Sequence, residues 1–144
     1  KLMEEEGEMK CWRIQMRPGG PPLFGEWNGV PIFGLPGNPV SSHVVFLMIV
    51  APWISFNLGS GAHANALGKY VRVKLQDPIA GAKNKICLRR IKITSKNDEL
   101  IATTHTHQGS GNIHSLVAHN ALSILSPGID ARAGEKIDAF WWNE

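Results

Sequence analysis

Hydrophobic and polar residues alternate with a period of two through much of the second half of the chain. Between Tyr70 and Gln76, valine and leucine occupy every second position, and charged residues lie between them. Such alternation is typical of a strand with one buried face. The same period predicts further strands at Ile86 to Thr94, Leu100 to His107, Ala121 to Leu125 and Ile137 to Trp142. Several short strands separated by turns predict a compact β-barrel or sandwich.

The first half of the chain has a different pattern. Lys10 to Met16 and Val30 to Leu35 are predicted to be strands. A helix is predicted from Pro39 to about Phe56, with Asn38 as its N-cap and a proline at its first position, where the missing N–H is tolerated. Because this helix is apolar around most of its circumference, we expect it to be covered on more than one side. Pro52 should kink it.

Composition and the change of period divide the chain into two parts. Residues 57 to 66 are rich in glycine, alanine and asparagine and are interpreted as a linker between residues 1 to 60 and residues 66 to 144. The apolar run Val44 to Ile54 is about half as long as a bilayer span requires. We therefore expect a soluble, cytoplasmic protein without membrane contact.

Basic residues concentrate in the second part. Between Lys69 and Lys96 there are nine lysines and arginines and a single acid, Asp77. Such a stretch favours an anionic partner, which would be a phosphorylated small molecule, an oxyanion or a nucleic acid, although a solvated strand face has the same composition. A nucleic-acid partner would bind with an affinity that falls steeply with salt concentration. We expect no nucleic-acid partner.

Four histidines could suggest a metal site: His105, His107, His114 and His119. No cysteine or acid accompanies them at a familiar ligand spacing. We therefore predict no metal-ligating residues and interpret the histidines as surface or hydrogen-bonding groups.

Three glycine-rich corners could bind an anion. Arg17 to Pro22 follows a strand, Pro36 to Pro39 leads into the long helix, and Gln108 to Asn112 precedes a short helix predicted up to Asn120. A helix N-terminus offers N–H groups and the positive end of the dipole to a phosphate or oxyanion. Arg13, four residues before the first corner, should share a strand face with Arg17 and help to hold an anionic group. Turn conformation alone would also explain each corner.

Four motifs occur in a fixed order along the chain. They are Arg17-Pro-Gly-Gly-Pro, Phe33-Gly-Leu-Pro-Gly-Asn-Pro-Val-Ser-Ser42, His107-Gln-Gly-Ser-Gly111 and Ala133-Gly-Glu-Lys136. In this order they resemble the motifs of the MoeA family of molybdopterin molybdenumtransferases, which includes the E domain of gephyrin. The resemblance implies the fold class α/β plus all-β. Residues 1 to 60 would be the end of the molybdopterin-binding α/β domain, and residues 66 to 144 the small C-terminal β-barrel domain, domain IV.

The resemblance also implies an activity: molybdate is inserted into adenylylated molybdopterin (molybdopterin-AMP), and AMP is released. Mg²⁺ or another divalent metal is expected to assist. The residues that the resemblance assigns to catalysis, by electrostatic positioning rather than covalent attack, are Arg13, Arg17, Arg89 and Ser110. Those expected to hold the pterin substrate are Pro36, Gly37, Asn38, Pro39, Ser41, Gln108 and Gly109.

The same resemblance implies partners for the protein. It implies a homodimer, with molybdopterin adenylyltransferase as a candidate partner.

The sequence also differs from the family motifs. The lysine usual in the turn after Arg17 is Gly20 here, so one anion contact is missing or supplied elsewhere. The glycine-rich loop and the acidic residues of the first half of the α/β domain are absent, so we expect the chain alone to be inactive. The alternative function is a scaffolding or peptide-binding module of the gephyrin type.

Overall fold

The structure is a computed structural model that describes residues 5–20, 22–59, 67–104 and 117–142. Its strands are β1 (Glu8–Trp12), β2 (Met16–Arg17), β3 (Leu23–Trp27), β4 (Val30–Gly34), β5 (Lys69–Leu75), β6 (Ile86–Cys87), β7 (Arg90–Lys96), β8 (Glu99–Thr104), β9 (Ala121–Ile124) and β10 (Lys136–Trp141). The long helix α1 (Pro39–Asn57) has α-helical ends, Pro39–Val45 and Ala51–Asn57, and a π-helical centre, Phe46–Val50.

Five of the strands close into a barrel in the order β10-β5-β8-β7-β9. β5 and β8 run parallel, and the other four pairs are antiparallel. The alternation seen in the sequence places every second side chain inside. The buried interior includes Val73, Leu75, Ile91, Ile93, Ala102, Ala121, Ile137 and Ala139. The predicted β-barrel is therefore confirmed, and the sandwich alternative is not adopted.

Two predicted strands are each divided in the structure. Lys10 to Met16 is not one strand, because Arg13 has a φ of 80° and the chain turns between β1 and β2. Ile86 to Thr94 becomes β6 and β7, and the break falls at Leu88 and Arg89, next to the point where the sequence alternation loses its phase. β3 was not predicted, since a glycine interrupts its short apolar run.

Strands β1, β3 and β4 form an antiparallel sheet in the first part of the chain. The turn at Asn28 and Gly29, both with positive φ, joins β3 and β4 as a hairpin, and hairpin strands pair antiparallel. Phe24 and Phe33 stack at 4.8 Å between ring centroids, and Trp53 of α1 meets Phe33 at 5.2 Å. The described residues contain no parallel sheet of an α/β domain. Of the implied fold class, only the barrel, the short strands and the helix are present here.

Helix α1 packs against the barrel through one of its faces. Val44, Val45 and Leu47 are buried in a cluster with Leu122 and Phe140. The helix also contacts the β1-β3-β4 sheet, where the Trp53 ring meets Phe33, so it is covered on two sides as its composition predicts. The π-helical turns lie directly before Pro52 and accommodate the proline near the start of the second α-helical part. By length and composition alone, α1 could also cross a membrane, a test that a core helix passes equally well.

Candidate anion-binding site

The two parts of the chain are joined by a short parallel pairing of β2 with β6. The Ile86 N–H donates to the Gln15 carbonyl at 2.9 Å, and the Leu88 N–H donates to the Arg17 carbonyl at 2.8 Å. Backbone hydrogen bonds of this kind fix the register of the paired segments. The Arg-Pro-Gly-Gly corner that begins at Arg17 is therefore anchored to the barrel.

An open cavity lies at this junction, and we call it the junction cavity. Its volume is about 390 Å³, and its described lining residues are Arg13, Ile14, Gln15, Gly20 and Lys85. Four of them come from the first part of the chain, and Lys85 comes from the turn before β6. The described lining carries two cationic side chains and no carboxylate, so it attracts anions. The volume is within the usual range for ligand cavities, roughly 300–1,000 Å³.

Arg13 holds a backbone conformation that suits glycine better. Its φ of 80° lies in the left-handed region, and its side chain is exposed. Its N–H donates to the Pro22 carbonyl at 3.4 Å, across the corner. A non-glycine residue at positive φ costs free energy and is found disproportionately at functional sites. The predicted strand face shared by Arg13 and Arg17 is wrong for this reason. Only Arg13 is among the described lining residues of the junction cavity.

A side chain at either glycine of the corner would be strained or crowded. Gly19 has a φ of 109°, and a Cβ there would lie 3.0 Å from Val45 Cγ2 of α1. A Cβ on Gly20 would lie 2.9 Å from the Ile14 carbonyl oxygen. A lysine at position 20, as the resemblance leads one to expect, would therefore require the backbone to move.

The second corner, Pro36 to Pro39, is occupied by its own capping interactions. As predicted, Asn38 is the N-cap, and its Oδ1 accepts from the N–H groups of Val40 at 3.1 Å and Ser41 at 3.3 Å. The Ser42 N–H donates to the Asn38 carbonyl at 2.9 Å, and Ser42 Oγ donates to the Pro36 carbonyl. These donors hold the helix start together. The assignment of Pro36, Gly37, Asn38, Pro39 and Ser41 to substrate binding stays a prediction.

Arg89 forms hydrogen bonds within the barrel and is not among the described lining residues of the junction cavity. Its Nη2 donates to the Ala80 carbonyl at 3.3 Å, and its backbone N–H donates to the buried Ser123 Oγ at 3.0 Å. The neighbouring Arg90 is buried, and desolvation, together with the Arg89 charge, lowers the pKa of its guanidinium below the ordinary value. The other predicted barrel residues, Gln108, Gly109 and Ser110, lie outside the described residues.

Two other basic residues of the Lys69 to Lys96 run, Lys74 and Arg72, are paired with acids on the barrel surface. Lys74 lies 3.4 Å and Lys136 3.3 Å from the Glu99 carboxylate, and hydrogen bonding to Lys136, then to Lys74, lowers the pKa of Glu99. Arg72 pairs with Asp138 at 3.7 Å. Lys85 differs from these residues because it faces the junction cavity. The sequence does not single out Lys85, although it belongs to the basic run between Lys69 and Lys96.

No group of three or more histidine, cysteine, aspartate or glutamate side chains in the described part of the chain could hold a metal ion. Of the four histidines considered above, His119 alone is described, and it is buried. The divalent metal that the resemblance implies therefore has no ligand set among these residues.

Comparisons with known proteins agree with this architecture. A molybdopterin biosynthesis MoeA protein from Pyrococcus horikosii superposes with a TM-score of 0.79 at 24% identity, over 99% of this chain and 34% of that one. A molybdenum cofactor biosynthesis protein from Pyrococcus furiosus superposes with a TM-score of 0.71 at 23% identity, over 94% of this chain and 46% of that one. At these identities the likeness defines the class of fold, a helix packed on a small closed barrel.

Sequence comparison identifies the family. Residues 72–142 match the family model of the MoeA C-terminal region, domain IV. Molybdopterin molybdenumtransferase 1 of Mycobacterium tuberculosis is 30% identical over 95% of this chain, and the Drosophila melanogaster molybdenum cofactor synthesis protein cinnamon is 32% identical over 93%. The chain belongs to the MoeA family and corresponds to its C-terminal region. It spans 33% of the first relative's length and 23% of the second's.

Proposed function

We propose that the chain is the C-terminal part of a molybdopterin molybdenumtransferase. Within the full-length protein it would take part in inserting molybdate into adenylylated molybdopterin with release of AMP. The observation that carries the proposal is the junction cavity, where Arg13 and Lys85 face the same space and the described lining has no carboxylate. Molybdate and the phosphates of the pterin substrate are anions, and such a cavity suits them.

The chemistry proposed for the described residues is binding and positioning. Arg13, in the cavity wall, and Arg17, anchored beside it by its bond to Leu88, would hold a phosphate or the oxyanion. Fixed cations of this kind stabilise negative charge that develops in the reaction and orient the reacting groups. Arg89 would act from the barrel together with Ser110. No step is assigned to the metal, since the described residues provide no site for it.

The remaining features of the full-length protein are part of the same proposal. A homodimer, a cytoplasmic location and a contact with molybdopterin adenylyltransferase would each fit an enzyme of this pathway. The exposed apolar residues of α1, Phe46, Ile54 and Phe56, offer a surface that further domains or a second subunit could cover.

Complementation tests the proposal. The full-length protein should restore molybdoenzyme activity in cells that lack the molybdenum-insertion step, and failure to do so would remove the enzyme assignment. Arg89→Ala and Ser110→Ala should lower cofactor formation while the variants remain folded. Lys96→Ala, which changes an exposed residue at the end of β7, is the control. If Arg89→Ala and Ser110→Ala both supported normal cofactor formation, the assignment of Arg89 and Ser110 to the reaction would be wrong.

A further inference from the structure

We infer that Lys85 supplies, from the barrel, the second cationic contact to a tetrahedral oxyanion held in the junction cavity, where Arg13 supplies the first. The inference deepens the proposed function and rests on it for the biological source of the anion. The ligand chemistry is a tetrahedral oxyanion, either free, as in molybdate, or carried as a phosphate monoester.

The position of Lys85 is fixed by the fold on both sides. Before it, a tight turn closes with a bridge between Ala82 and Lys85. After it, Ile86 donates its N–H to the carbonyl of Gln15, which itself lines the junction cavity. These backbone constraints hold the lysine stem beside the cavity, so binding an anion requires ordering only of the side chain.

The other described lining residues leave a place for a cation from the barrel. Gly20 lines the cavity without a side chain, and a Cβ there would meet the Ile14 carbonyl oxygen at 2.9 Å. The first part of the chain therefore lines the cavity with one cation, Arg13, and offers no second charged side chain at position 20. Lys85 gives the cavity a second cation, and two cations attract a doubly charged anion more strongly than a singly charged one.

The paired cations also connect the two parts of the chain. An anion bound by Arg13 and Lys85 would bridge the segment before β2 and the barrel turn before β6. Since the β2–β6 pairing is only two residues long, a bound anion would add a second connection there. We expect it to raise the thermal stability of the protein by mass action.

Titration of the full-length protein with sodium molybdate, and separately with glycerol 3-phosphate, tests the inference at low ionic strength. Lys85→Gln should weaken binding of the anion that occupies the cavity by about tenfold, as loss of a charge-assisted hydrogen bond would. Lys85→Arg should retain most of the affinity. Lys83→Gln removes the same charge from an exposed residue of the same turn that is not among the described cavity-lining residues, so it should bind as the parent does. If only the affinity for molybdate falls in Lys85→Gln, the cavity binds the free oxyanion. If only the affinity for glycerol 3-phosphate falls, it binds a phosphate monoester.

Three results would overturn the inference. They are parental affinity in Lys85→Gln for both anions, an equal loss in Lys83→Gln, and no measurable binding of either anion to the parent. Because Lys85 is exposed, Lys85→Gln should melt at the parent's temperature without ligand, so a folding defect can be separated from a binding defect. If complementation failed while Lys85-dependent binding persisted, the proposed function would be lost and this inference kept.

Discussion

Replacing Arg13 with glycine should stabilise the protein while removing an anion-binding side chain. Arg13 is held at a φ of 80°, and a non-glycine residue pays about 1–2 kcal/mol there. Glycine avoids that cost but loses about 0.5–1 kcal/mol through the greater freedom of the unfolded chain. The net gain in the free energy of unfolding should therefore be about 0.5–1 kcal/mol.

The backbone effect can be separated from the loss of charge by comparing two substitutions. Arg13→Ala and Arg13→Gly both remove the guanidinium, but only glycine relieves the positive φ, so Arg13→Gly should be the more stable of the two. Gln15 is the control position, because it is exposed, lies two residues away and has no positive φ. At Gln15 the order should reverse, and the glycine variant should be less stable than the alanine variant by about 0.5–1 kcal/mol.

Urea denaturation measures both differences. With a slope of about 2 kcal/mol/M, a gain of about 0.5–1 kcal/mol moves the midpoint by about 0.25–0.5 M. Anion titration of the same variants should show weaker binding for both changes at Arg13. A glycine variant at Arg13 that is less stable than the alanine variant, as at Gln15, would refute the argument that the cavity wall stores backbone strain.

Three further changes test the packing around the site. Asn38→Ala removes both cap hydrogen bonds and should cost about 1 kcal/mol in a urea melt, whereas Asn38→Ser should recover most of it; equal losses would contradict the cap. Ser123→Ala leaves the Arg89 N–H without its buried acceptor and should cost about 1–3 kcal/mol, while Ser126→Ala, at an exposed site, should cost little; equal costs would contradict this. Burial lowers the pKa of His43, whose ring meets Trp142 edge-on at 5.7 Å. Protonation therefore favours the unfolded chain, and stability should fall as the pH drops below about 6.5. His43→Phe should flatten this part of the pH profile, and an unchanged profile would contradict the assignment.

The barrel strands could be predicted because one buried face leaves a period of two in the sequence. β5, β9 and β10 begin and end within about one residue of their predicted limits. The Asn38 cap was predictable for a similar reason, since the helix start depends on two or three adjacent residues. The alternation is lost at Arg89 and Arg90, and β7 begins at Arg90. This local change in the pattern therefore marks the boundary between β6 and β7.

The junction cavity could not be predicted in the same way. Its walls meet where β2 pairs with β6, and the paired residues Met16 and Ile86 lie far apart in sequence. Local periodicity carries no information about such a pairing. The turn at Arg13 could not be predicted either. The positive φ of Arg13 does not change the alternation of hydrophobic and polar residues, which continues from Lys10 to Met16 as in a single strand.

Anomalous diffraction at the molybdenum edge, from crystals of the full-length protein soaked in molybdate, would locate the bound oxyanion. We expect an anomalous peak in the junction cavity, within about 4 Å of the Arg13 guanidinium and the Lys85 ammonium. A peak elsewhere on the protein, with none between these two side chains, would contradict it.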